Sequence, residues 1–135
     1  MYHRILIAVA PDHAETLDEM LPVARALRAP DGQIAAVSVV EAMPAYIEVQ
    51  VPQEIYEGSR TDTHDKLAAA LGDDKDVELV VEIGVPAQAI LHTQKEGDFD
   101  LVILRSHRPA MRDWVLGTTA GRIIRDAPCA VHVIR

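Results

Sequence analysis

The stretch RSHRPAMRDWVLGTTAG, residues 105–121, concentrates residue types that hold phosphate. Gly117-Thr118-Thr119 opens a helical pattern. Amide N–H groups at a helix N-terminus attract anionic oxygens, and two hydroxyls add donors. Threonine also caps helices, so the same residues can be a purely structural start. Arg105 and Arg108 read two ways. Each can fork two donors onto a phosphate, and each puts a side chain where close backbone approach would want glycine. Both readings stay open for each arginine. His107 can meet ribose or phosphate, or hydrogen-bond across the loop. Met111 and Trp114 either pack on this loop or cover a crevice.

Other chemistries find less support. Ser106 lacks a Gly-x-Ser-x-Gly elbow, and no Gly-x-x-x-x-Gly-Lys-Ser/Thr loop is present. His3, His13, His64, His92 and His132 show no metal-ligand spacing, so no metal site is expected. Cys129 reads as a small buried residue rather than a nucleophile. As the sole cysteine it allows no internal disulfide, which fits a reducing compartment.

The elements that must position these residues follow from periodicity. ILIAVA (5–10), QIAAVSVV (33–40), VELVVEI (77–83), DLVILR (100–105) and AVHVIR (130–135) are apolar, β-rich runs. Between them lie helical patterns at 13–29, 53–71, 86–97 and 117–127. Asp12 and Glu15 suggest a capping box for the first, although Pro22 sits awkwardly inside it. Residues 29–32, APDG, read as a turn, and 41–52 as a long loop bracketed by prolines. Gly72 should end the second helix, and Pro86 should open the third.

Strands alternating with helices predict an α/β fold: a doubly wound, Rossmann-like, five-stranded parallel sheet of order 3-2-1-4-5 with helices on both faces. Its crevice lies outside the C-terminal strand ends, at the switch point between strands one and four. The 135 residues suit one domain, 1–135. Thirteen Lys and Arg against twenty-one Asp and Glu give a net charge of −8, which argues against nucleic acid. No run approaches a membrane span, and the N-terminus does not read as a signal peptide. A cytoplasmic protein is expected.

HRILIAVAPD, IGVPAQAILHTQKEGDFDLVIL and RSHRPAMRDWVLGTTAGRIIRDAPCAVHVIR, with their spacing, resemble the universal stress protein family. The resemblance spans nearly the whole chain and is weakest from Glu41 to Asp76. Ser-His-Arg-Pro is similar to the F/G-type bacterial subgroup. The family consists of small cytoplasmic proteins, usually dimers paired through strand five. One branch binds ATP through Gly-x-x-Gly, nine residues, then Gly-Ser/Thr; another lacks the motif and the ligand.

Carried over, the two glycines fall on Arg105 and Arg108, and eight residues then precede Gly117. Gly117 and Thr118 match the final pair, with Thr119 following. His107 matches the loop histidine, and Val39 the position whose backbone meets adenine. The aspartate that commonly ends strand one is Ala10, with Asp12 two residues later.

The resemblance therefore implies a stress-response protein that binds ATP, with or without Mg²⁺, among Ala10, Pro11, Asp12, Val39, Leu104, Arg105, Ser106, His107, Arg108, Gly117, Thr118 and Thr119. The alternative is a dimeric interaction module with no nucleotide and no cofactor. No Mg²⁺-holding carboxylate or general base is recognisable beside the phosphate turn, so slow ATP hydrolysis is the most enzymatic reading. Val131, His132, Val133 and Ile134 are expected at a homodimer contact, since an apolar edge strand invites pairing. PAYIEVQVPQEIY (44–56) could serve a tetramer or a signalling partner that the sequence does not identify.

Overall fold

The computed structural model describes residues 1–42, 51–106 and 117–135. Five parallel strands form one sheet: β1 (Tyr2–Ala8), β2 (Arg28–Glu41), β3 (Val77–Gly84), β4 (Leu101–Arg105) and β5 (Ala130–Ile134). Their order is β3-β2-β1-β4-β5, as the alternation of strand and helix predicts. The helices are α1 (Leu17–Leu27), α2 (Gln53–Leu71), α3 (Pro86–Glu96) and α4 (Thr118–Asp126).

The apolar strand runs are buried on both faces because both are covered. Successive side chains alternate across the sheet. Ile5, Ile7, Ile34, Ala36, Leu101 and Ile103 pack with α1 and α2. Leu6, Ala35, Val37, Val102 and Leu104 pack with α3 and α4. Each fully buried Leu or Ile contributes roughly 1.5–3 kcal/mol from burial, so these two layers hold the strand ends in place.

Helix boundaries largely follow their sequence signals. Gly72 ends α2 at φ +57°, a conformation that suits glycine, and its N–H reaches the Ala68 carbonyl at 3.1 Å. Pro86 is the first residue of α3. Three expectations need correction. Asp12 caps nothing: a single 3-10 turn, Ala14–Thr16, precedes α1, and neither start has a side-chain cap bond. The Thr16 hydroxyl instead donates to the His13 carbonyl at 2.7 Å. Pro22, by contrast, lies inside α1 where the sequence puts it. It and Asp18, whose carbonyl loses a partner, are both exposed, so water can take that bond.

APDG is not a free turn. It is absorbed into β2 as an irregularity, because Tyr2 pairs with Arg28 while Arg4 pairs with Gln33. Two steps along β1 oppose five along β2, so the extra residues bulge from a continuing ladder. Glu41 belongs to β2 rather than to the loop after it. Residues 43–50 of that loop lie outside the described residues.

Candidate functional site

A cavity of about 810 Å³ opens outside the C-terminal ends of β1, β2 and β4. The two neighbours of β1 are β2 and β4, whose crossovers leave in opposite directions, and this parting creates the crevice. The volume falls within the range of small-molecule sites.

Its floor is tied down from within. Val9 N–H donates to the Val37 carbonyl at 2.8 Å, extending the β1–β2 ladder. The buried Ser38 hydroxyl donates to the Val9 carbonyl at 2.7 Å. The chain then turns through Pro11 and Asp12, closed by His13 N–H on the Ala10 carbonyl at 3.0 Å. On the opposite wall Gly117 is the N-cap of α4, with φ −64° and ψ 161°. Threonine is therefore not the cap: Thr118 and Thr119 are the first two helical residues, and among the described residues no side chain caps the helix start. The first-turn N–H groups have no intrahelical partner. Gly117 needs no left-handed backbone, and an added Cβ would meet no described atom within 4 Å. Glycine there suits an N-cap and would also permit close approach of a ligand.

Ala10, Pro11, Asp12, Val39, Leu104, Arg105, Ser106, Gly117, Thr118 and Thr119 all line this one cavity. His107, Arg108, Met111 and Trp114 lie outside the described residues. The structure adds a wall that the sequence reading missed. Ser59, Asp62, Thr63 and Lys66 of α2 line the crevice, as do Pro86 and Ile90 of α3. The signal was present: positions 59, 62, 63 and 66 follow the i, i+3, i+4, i+7 spacing of one helical face. It was polar, so it did not register as a packing stripe.

Arg105 is placed by strand alternation. Leu101 and Ile103 face α1 and α2, and Arg105 is two residues further on. Its guanidinium pairs with Glu19 of α1, its side chain 29% exposed against 57% for Glu19. It lines the crevice from the α1 side, across from the start of α4. Next to it, His13 Nδ1 lies 3.2 Å from Glu15 Oε1. The Glu15 backbone amide and then the His13 ring hold the Glu15 carboxyl below its ordinary value, with a smaller contribution from the Arg105 charge. No cluster of metal-ligating side chains occurs among the described residues.

Ser106 N–H donates to the Ile134 carbonyl at 2.8 Å, carrying the β4–β5 ladder to the crevice rim. β5 is an edge of the sheet, with Val131, Val133 and Ile134 half-buried and His132 exposed. Cys129 is half-buried, and burial, above all, pushes its thiol up, which fits the inert reading.

Comparison with known proteins gives a consistent result. A universal stress protein of Methanothermobacter thermautotrophicus is 22% identical over 144 residues, covering 100% of this chain and 97% of that relative. A universal stress protein solved in complex with cAMP superposes with TM-score 0.64 at 15% identity, over 99% of this chain and 97% of that one. The universal stress protein of Archaeoglobus fulgidus, solved in complex with dAMP, gives TM-score 0.58 at 18% identity, over 99% and 98%. At these identities the structures speak for the fold. The family model described as universal stress protein family matches residues 1–135, and the chain belongs to that family.

Proposed function

We propose that this protein is a cytoplasmic stress-response protein that binds ATP in the crevice and acts through the bound state rather than through turnover. The observation that carries the reading is the N-terminus of α4, which no described side chain caps and which opens into the cavity at the switch point. The first turn of α4 suits the phosphates, and the apolar wall of Val39, Pro86 and Ile90 suits a base. Asp12 is the carboxylate at the β1 turn for ligand or its Mg²⁺. Two structural relatives described with cAMP and dAMP support a nucleotide of this class. No helix among the described residues is long and apolar enough to cross a membrane. The open edge of β5 supports a homodimer through Val131, His132, Val133 and Ile134.

The second reading is a dimeric interaction module without nucleotide. Arg105 on the cavity wall and the missing carboxylate at Ala10 favour it. Calorimetric titration with Mg·ATP separates the two, with Gly117→Asp as the paired protein. Aspartate at this N-cap would occupy the orphan amides itself, and its charge would repel phosphate. The expected result is saturable binding by the original protein and at least tenfold weaker binding by the variant. The variant's thermal midpoint should stay unchanged or rise. No binding by the original protein overturns the nucleotide reading and leaves the interaction module.

A further inference from the structure

We infer that Glu19 sets the affinity of the crevice for polyphosphates, by holding Arg105 in an ion pair that a bound phosphate chain must displace. The inference rests on the nucleotide reading of the crevice and deepens it.

Arg105 is fixed at its Cα by the ladder to Ile134 and directed toward α1 by strand alternation. Its reach is set by a long, flexible stem. Arg105, Ser106, Gly117 and Thr118 line the same cavity, so an anion on the first turn of α4 shares that cavity with the Arg105 side chain. Glu19 is the resident competitor. The pair is partly exposed, and exposed pairs of this kind are weak. Glu19 also sits in the first turn of α1, where the helix N-terminus stabilises a carboxylate. Glu19 therefore keeps a favourable partner when Arg105 leaves.

A polyphosphate offers the guanidinium several oxygens where Glu19 offers two, and it can win the exchange. A nucleoside without phosphate has nothing to exchange. Arg105 thus favours charged over uncharged forms of the same ligand, and its pairing with Glu19 lowers that preference.

The test is a double-mutant cycle read by calorimetry. Mg·ATP and adenosine are each titrated into the original protein, Glu19→Gln, Arg105→Ala and the double variant. Thermal midpoints without ligand establish that all four fold. Glu19→Gln should tighten Mg·ATP about fivefold and leave adenosine unchanged. Arg105→Ala should weaken Mg·ATP severalfold, and Glu19→Gln should then change nothing further.

Three results overturn the role of Glu19 alone: equal Mg·ATP affinity in the original and Glu19→Gln, an equal shift for adenosine, or full tightening without Arg105. Absence of Mg·ATP binding in all four proteins overturns the nucleotide reading, and this inference with it.

Discussion

The two ends of the sheet solve the same problem in opposite ways. At the N-terminal ends of the strands, exposed backbone amides find internal anions. Asp100, just before β4, accepts the N–H groups of His3 and Arg4 at 3.0 Å each. Arg4 donates from Nε to the Gly97 carbonyl at 2.6 Å, pairs with Gln33, and lies 4.8 Å over the Phe99 ring. Asp76, just before β3, takes a two-pronged contact from Arg25 at 2.9 and 3.1 Å and a third bond from Arg28 at 3.2 Å. At the C-terminal ends, the amides of α4 have no side-chain cap among the described residues and face a cavity. Asp100 does for β1 what a phosphate would do for α4. One end spends its carboxylates on stability, and the other has helix-start donors that no described side chain takes.

The comparison breaks most sharply at Asp100. Burial alone would raise its carboxyl, and the His3 and Arg4 amides outweigh this and hold it below its ordinary value. Asp100→Ala leaves two backbone donors without their anion. The expected cost is about 2–3 kcal/mol of stability, read by urea unfolding. Mg·ATP affinity, measured where the variant is still folded, should be unchanged. A stability loss that also abolishes binding would show that the two ends are not independent.

A smaller effect is expected from acid. The Arg25 hydrogen bond first, and then that of Arg28, hold the Asp76 carboxyl at about 2, below its usual 3.8. A carboxylate depressed on folding contributes stability that is complete above its unfolded value. That contribution fades as pH falls from about 3.8 toward 2. Asp76 and Arg25 are partly exposed, so solvent screening limits the effect to about 1 kcal/mol or less. Asp76→Asn should flatten the acid limb of the stability curve in that window and leave neutral-pH binding untouched. An acid limb identical to the original's would assign the loss to other carboxylates, Asp100 first.

How much of this was legible in the sequence differs between the two ends. The order of elements, the sheet topology and the ends of α2 and α3 followed from apolar runs, Gly72 and Pro86, since these act locally. The crevice location followed from topology alone. The α2 wall did not, because Ser59, Asp62, Thr63 and Lys66 form a polar face, and polarity usually means solvent. The direction of Arg105 was readable in principle from alternation along LVILR, but only once the faces of β4 were assigned to α1 and α4. The sealed end was invisible: Asp100 with Arg4, and Asp76 with Arg25, are distant pairs that no local pattern announces. APDG misled because a turn signal within a strand and a bulge use the same residues.

The smallest expected change in stability comes at the open end, and it is the most telling. Thr118 is the first residue of α4, exposed, with a hydroxyl that bonds no described residue. Its removal should cost the fold little, because alanine is the better helix former and no packing is lost. Thr118→Ala should therefore leave unfolding free energy within about 0.5 kcal/mol of the original. If the hydroxyl donates to phosphate, the same change removes one ligand hydrogen bond, worth about 1 kcal/mol, or roughly fivefold in Mg·ATP affinity. The two readouts should separate, affinity falling while stability holds. This is the reverse of Asp100→Ala, where stability should fall while affinity holds. A Thr118→Ala protein that is clearly destabilised and binds as before would make α4 a structural helix start, and the contrast between the two ends would fail at its most exposed residue.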